Sequence, residues 1–214
     1  MLARSAGFDS GFALATSLDA LRKNPERGPI LDALREWEKA RRAGVFTPEQ
    51  REALRNPKRE FHLETVTGGG WDLFPFHDSA DFQHEQLVRQ PGEPTSAAWD
   101  LKNTDARQSL QLKLRVSGKT GSIRNPTFEI NRSATLTIPV EIQAGQSLLI
   151  ESDAIVRLYD AKGNPVQSFP LKTALPVVQP GTNPVTFDCE FQGDTPPKVT
   201  VTFKTRGTPT RVGH

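Results

Sequence analysis

The sequence predicts a mainly β protein: an antiparallel, jelly-roll-like β-sandwich preceded by an N-terminal helical segment. Three observations carry this expectation. Four runs alternate apolar with polar residues, at Leu110–Val116, Leu136–Ile142, Val185–Phe191 and Val199–Phe203. A strict period of two places one face in a core and the other in water. Turn-forming stretches separate the runs, among them Gln179-Pro180-Gly181-Thr182-Asn183 and Gly193-Asp194-Thr195-Pro196-Pro197. The chain also changes character near residue 65. Residues 1–64 hold 12 Lys/Arg and 10 Asp/Glu, whereas the remaining 150 residues hold 15 of each. Proline moves the other way, with 4 before residue 65 and 13 after it. Charge-rich, proline-poor sequence suits helices, and proline- and threonine-rich sequence suits strands and turns. The expected domains are therefore residues 1–64 and 65–214.

Taken in order, residues 8–16 are small and apolar and are expected to form a buried strand leading into the first helix. Leu14, Leu18 and Leu21 fall at i, i+4 and i+7, which predicts a helix over 17–24. Asn24-Pro25 ends it, because a residue before proline avoids the α region. Ile30, Leu34, Trp37 and Arg41 share one face of a second helix, 26–43, with Gly44 as its stop. Thr47-Pro48-Glu49-Gln50 has the N-cap, N1 and N3 residues of a capping box and opens a third helix, 47–56. Gly68-Gly69-Gly70 reads as a flexible joint between the two parts.

Beyond that joint, shorter strands are expected at 61–66, 71–76, 97–102, 147–150, 154–159 and 166–171. The loop Asp160–Pro165 makes a hairpin of the 154–159 and 166–171 strands. Pro139 lies mid-strand on the polar face, which marks an edge strand or a bulge. Residues 83–97 read as a long loop.

Composition removes several function classes. No window holds 18 consecutive apolar residues, so no membrane-spanning helix is expected. Gly7, Asp9, Ser10 and Gly11 interrupt the start, which has no signal-peptide pattern. A net charge of +2 argues against a general nucleic-acid binder. Cys189 is the single cysteine and supports neither an internal disulfide nor a cysteine metal site. No cofactor motif is present.

The sequence shows no catalytic constellation. Gly-x-Ser-x-Gly is absent, and the glycine triplet is followed by Trp71 rather than by a phosphate-loop lysine. His77 and His84 lie among Asp78, Asp81 and Glu85, but at no spacing that structural zinc uses. Calcium takes oxygen ligands, yet the Asp-x-Asp-x-Asp-Gly pattern is missing. Paired carboxylates could hydrolyse glycosides if they shared a cleft, with Asp72, Asp78, Asp81, Glu85, Glu93 and Asp100 as the pool. Surface solvation explains these acids more simply. No catalytic residue and no metal ligand is assigned. Asn131-Arg132-Ser133 is a glycosylation sequon, which matters only in a eukaryotic secretory pathway.

The aromatics are the stronger lead. Trp71, Phe76, Phe82 and Trp99 fall close together in sequence, beside Asp72 and His77. A flat ring flanked by polar groups suits the C–H face of a sugar, so these six residues are the candidate carbohydrate site. Core or interface packing is the competing explanation for the same rings.

The order of a small-residue strand, helices and a sandwich resembles the C-terminal end of bacterial multidomain glycoside hydrolases. In these a (β/α)8 barrel is followed by an accessory, carbohydrate-binding-module-like sandwich. The stretches Leu148-Leu149-Ile150-Glu151, Ala154 through Asn164 and Leu175 through Asn183 are similar to such sandwiches. The resemblance implies that residues 1–64 are the last strand and helices of a barrel. It also implies a secreted or periplasmic setting, an upstream catalytic domain as partner and a polysaccharide or oligosaccharide as ligand. It carries over no catalytic residue. A complete small protein beginning at Met1 is the alternative. The expected function is a non-catalytic accessory module that binds carbohydrate through exposed aromatics. The alternative is an interdomain packing module with no ligand of its own.

Overall fold

The computed structural model describes residues 1–24, 27–86 and 95–213. Among these the chain forms four helices and sixteen strands. They fall into two compact units, residues 1–77 with Arg206 onward and residues 78–205.

The first unit opens with α1 (Leu2–Gly7), α2 (Leu18–Lys23), α3 (Arg27–Arg42) and α4 (Pro48–Arg55). Ser17 caps α2 by accepting from the Ala20 N–H at 3.1 Å. The capping box of α4 forms as expected: Thr47 Oγ1 accepts from the Gln50 N–H, and Gln50 Oε1 accepts from the Thr47 N–H. Gly44 follows α3 with a φ of 65°, the left-handed conformation that stops a helix.

The strand expected over 8–16, as the end of a barrel, is not formed. Residues 8–17 are irregular, almost all are exposed, and a helix precedes them instead. Asp9 has a positive φ, which breaks an extended run. The small residues that follow bury too little surface to recruit a partner strand.

The same unit holds β1 (Glu60–Thr65), β2 (Trp71–Asp78) and the last strand of the chain, β16 (Thr210–Val212), paired antiparallel in the order β1-β2-β16. Alternation sends Leu63, Leu73 and Val212 toward the helices. There they join Ala6, Trp37, Ala40, Phe46 and Leu54 in a core, edged by Phe61 and Trp71. Trp37 and Phe46 stack with centroids 6.0 Å apart. The glycine triplet is the turn of the β1–β2 hairpin rather than a flexible joint. Gly68, Gly69 and Gly70 all have positive φ, and the turn closes with Gly69 N–H donating to the Val66 carbonyl. This hairpin straddles the boundary expected at 64/65.

The second unit is an antiparallel β-sandwich. Its strands are β3 (Phe82–His84), β4 (Ala97–Asn103), β5 (Gln108–Ser109), β6 (Gln111–Ser117), β7 (Ser122–Ile130), β8 (Ala134–Thr137), β9 (Glu141–Gln143), β10 (Ser147–Ile150), β11 (Ile155–Tyr159), β12 (Pro165–Pro170), β13 (Val177–Val178), β14 (Gly181–Gln192) and β15 (Lys198–Arg206). One sheet runs β3-β15-β6-β10-β11-β12, and the other runs β4-β14-β7-β8 with β9 also on β7. β5 and β13 form a separate pair. The consecutive strands β3/β4, β6/β7, β9/β10 and β14/β15 lie in opposite sheets, the alternation of a jelly-roll-like sandwich.

A single core fills the sandwich. Leu112, Leu114 and Val116 of β6, Val199, Val201 and Phe203 of β15, and Leu148 and Ile150 of β10 meet Ile123, Phe128 and Phe187 from the other sheet. All four alternating runs of the sequence supply it. Gln83 and His84, expected in a long loop, instead belong to β3. The centre of that loop, 87–94, lies outside the described residues.

The 135–142 run splits into β8 and β9 around Pro139, and both lie at the edge of their sheet. β7, between them and β14, was not among the expected strands, and it carries the Asn125-Pro126 step that an unbroken central strand would exclude. The structure admits the proline at a bulge. Asn125 has a φ of 49°, and β14 shifts register between Asp188 and Glu190 opposite it. The Pro126 carbonyl still accepts from the Ile138 N–H at 3.0 Å.

Candidate functional site

The six residues expected to form a carbohydrate site fall in both units. Trp71, Asp72, Phe76 and His77 lie on β2, Phe82 on β3 and Trp99 on β4. Alternation then divides the β2 group. Trp71 shares the helix-facing side with Leu73, and its indole N–H donates to Glu36 Oε2 at 3.2 Å. Asp72 and Phe76 occupy the opposite face, and the His77 side chain is exposed.

In the second unit Trp99 is half-buried against the sandwich core. Phe82 and Phe187 each stack on it with centroids 5.2 Å apart, and Phe203 meets it edge-on at 6.3 Å. Phe82 in turn packs edge-on against Phe203 at 5.6 Å. The two rings are therefore brought together, as parts of an aromatic stack that continues into the core. None of Trp71, Phe76, Phe82 and Trp99 is fully exposed.

The outer face of the β1–β2 hairpin gathers a polar network that the sequence did not single out. Cross-strand register sets Glu64 opposite Asp72 and His62 opposite Phe74. Glu64 takes an ion pair from Arg206 at 2.6 Å and lies 3.2 Å from His62 Nε2. The Arg206 guanidinium covers the Phe74 ring at 3.3 Å from its centroid, a cation–π stack. Burial works against ionisation of Glu64, but Arg206 and His62 outweigh it and hold the carboxyl below the usual carboxylate range. Arg211, on β16, pairs with Asp72 of the hairpin at 3.4 Å.

Three of the six carboxylates of the hydrolytic pool are engaged with cations. Besides Asp72, Asp81 pairs with Arg115 at 2.8 Å and Glu85 with Lys198 at 2.9 Å, while Glu93 lies outside the described residues. His84 is buried, between Phe187 and Phe191 at 5.4 Å from each ring, whereas His77 is exposed in the other unit. Among the described residues, no three of His, Cys, Asp and Glu converge as metal ligands, and no helix is long and apolar enough to cross a membrane. Cys189 is half-buried; desolvation first, then Asp188 and Glu190, push its thiol up to about 12.

The sequon residue Asn131 is also engaged. Its side-chain amide donates to Asn183 Oδ1 at 2.8 Å, bonding that a glycan on this nitrogen would disturb. Asn183 is fully buried, and its pairing could not be read from its place in a turn motif.

Fold and side-chain geometry together define the second unit as an antiparallel β-sandwich whose rim rings, Phe82 and Trp99, stack against its core. No family model, no curated protein and no solved structure matches this chain.

Proposed function

We propose that the chain is a non-catalytic accessory module of a polysaccharide-degrading enzyme, and that its role is to pack against a neighbouring catalytic domain. The observation that carries this reading lies in the N-terminal helical segment. α2 buries none of its residues, and Leu14 and Leu18 are 44% and 71% exposed. Phe8 and Leu31 are exposed as well, at 62% and 41%. Large apolar side chains exposed within residues 8–31, one of them on a helix that buries none of its residues, suit a surface meant to be covered. The stacking of Trp99 and Phe82 supports the same choice, because rings committed to a core are poor sugar platforms. The link to polysaccharide-acting enzymes rests on the sandwich-turn phrases of the sequence.

The test compares the wild-type chain with a Leu14→Asp/Leu18→Asp/Leu31→Asp variant by light scattering over a range of concentrations. An exposed packing face predicts concentration-dependent association, abolished in the variant with the melting temperature unchanged. A wild type that stays monomeric and binds no apolar dye would remove the basis for the proposal.

A further inference from the structure

The second unit carries a groove of about 650 Å³ beside the turn that joins β7 to β8. Its lining contains no Lys, Arg, Asp or Glu, in a chain of which 24% of residues are charged. Asn131, Ser133 and Thr135 come from the β7–β8 hairpin, and Leu175, Pro176 and Val177 from the segment leading into β13. Gln179 and Thr182 belong to the turn before and at the start of β14.

Asn183 fixes this arrangement from below. Its Oδ1 accepts from Asn131 Nδ2 and from the Gln179 backbone N–H, each at 2.8 Å. Its Nδ2 donates to the carbonyls of Gln179 at 2.8 Å and Gly181 at 3.2 Å. Both halves of a fully buried amide are thus used to tie the hairpin to the opposing turn. A buried, fully bonded polar side chain holds such a shape more firmly than loop packing alone. Asn131 keeps its Oδ1, Gln179 its side-chain amide, and Thr135 and Thr182 their hydroxyls, with no partner for these groups among the described residues.

The chemistry of the lining selects a ligand class. A charged group entering a site with no countercharge loses hydration without compensation. Amides and hydroxyls each donate and accept, as the hydroxyls of a sugar do. The Leu175–Val177 wall offers apolar contact to C–H surface. An extended peptide would need a longer free edge than β8 provides, since that strand is four residues long and is followed by Pro139.

We propose that this groove binds a neutral saccharide chain. The choice of ligand rests on the polysaccharide-linked reading above, whereas the site rests on the groove alone.

The test titrates the full chain with neutral gluco-, manno-, xylo- and galacto-oligosaccharides, and with oligogalacturonate and alginate as anionic counterparts. Two variants accompany it. Gln179→Ala removes an exposed amide, and Ala174→Trp fills the groove from an exposed loop position. The expected result is binding to a neutral glycan and not to the anionic ones. Ala174→Trp should weaken it at least about tenfold, and Gln179→Ala about threefold or more, with unchanged melting. Equal affinity in both variants, a preference for the anionic glycans, or binding of an uncharged peptide with no glycan bound would overturn the proposal. Absence of groove binding with helix-face association intact would overturn it alone and leave the packing role standing.

Discussion

The Trp99 indole lies on the Phe187 ring with centroids 5.2 Å apart and planes 14° from parallel. Phe187 is fully buried and contacts Phe128 in turn at 4.9 Å, so the tryptophan is the outer member of a stack rooted in the sandwich core. Phe82, from the other sheet, stacks on the same indole. Trp99 therefore ties the two sheets together at one rim.

That relationship predicts a stability effect for Trp99→Ala. Replacing a large core aromatic with alanine costs about 3–5 kcal/mol, and the half-buried indole places this change near about 3. Urea unfolding followed by circular dichroism measures it. A ring serving a ligand instead would leave the unfolding midpoint where it was. Trp99→Phe should recover much of the loss, because a second ring can still stack on Phe187.

The Arg206–Glu64 pair predicts a pH dependence. The folded-state pKa of Glu64 is depressed, so its contribution to stability is fully present above the ordinary carboxylate value of 4.5. It is lost as pH falls through the lower, folded value. Arg206→Ala should raise the Glu64 pKa and flatten the fall in stability below that point. Carboxyl-resolved NMR titration of both forms reports it directly. An unchanged Glu64 titration in the variant would show that Arg206 does not hold the carboxylate. His62→Ala is expected to move it less, since Arg206 precedes His62 among the causes of the shift.

Much of the sandwich was legible in the sequence because alternation is a local signal that burial enforces. Leu112, Leu114 and Val116 read as one face of a strand and are that face. Thr47 and Gln50 read as a capping box for a similar reason: both partners lie within one turn. β7 was not legible, because the bulge that accommodates Pro126 depends on the register of β14, more than sixty residues away. The buried strand expected over 8–16 failed in the opposite direction, since apolar composition alone does not supply a pairing partner. The candidate site was legible only as a list of rings. Alternation on β2 turned Trp71 away from Asp72, and tertiary stacking absorbed Phe82 and Trp99. The Asn131–Asn183 contact, joining the β7–β8 hairpin to the start of β14, left no pattern in the sequence at all.

Gly7 predicts a second packing effect, in the first unit. A Cβ added there would sit 2.9 Å from both the Arg51 carbonyl oxygen and the Arg55 nitrogen, which are backbone atoms of α4. Backbone cannot swing aside as a flexible side chain does, so Gly7→Ala must push α1 and α4 apart. The intrinsic helix preference for alanine, about 1 kcal/mol, works in the other direction. The expected outcome is a lower melting temperature and faster proteolysis of the N-terminal segment. Thr47→Ala offers the scale for comparison: loss of the α4 cap should cost about 1 kcal/mol. A Gly7→Ala chain as stable as wild type would mean that the two helices separate at no cost.

Cys189 predicts a chemical reporter for the second unit. The thiolate is the reactive form, and a thiol whose pKa is pushed up to about 12 holds very little thiolate at pH 8. Desolvation is the largest cause of this, and the flanking Asp188 and Glu190 add repulsion of a negative sulfur. Unfolding removes the desolvation and returns the sulfur to ordinary exposure. Reaction with a chromogenic disulfide at pH 8 should therefore be slow in buffer and at least about a hundredfold faster in urea. Because Cys189 lies at the β14 bulge, opposite the Asn125-Pro126 break in β7, its rate in intermediate urea follows the opening of that sheet. Trp99→Ala should shift this transition to lower urea, whereas Gly7→Ala should leave it in place, since Gly7 packs within the other unit. A native reaction rate equal to that in urea would show the thiol to be open to solvent and would refute the burial on which its inertness depends.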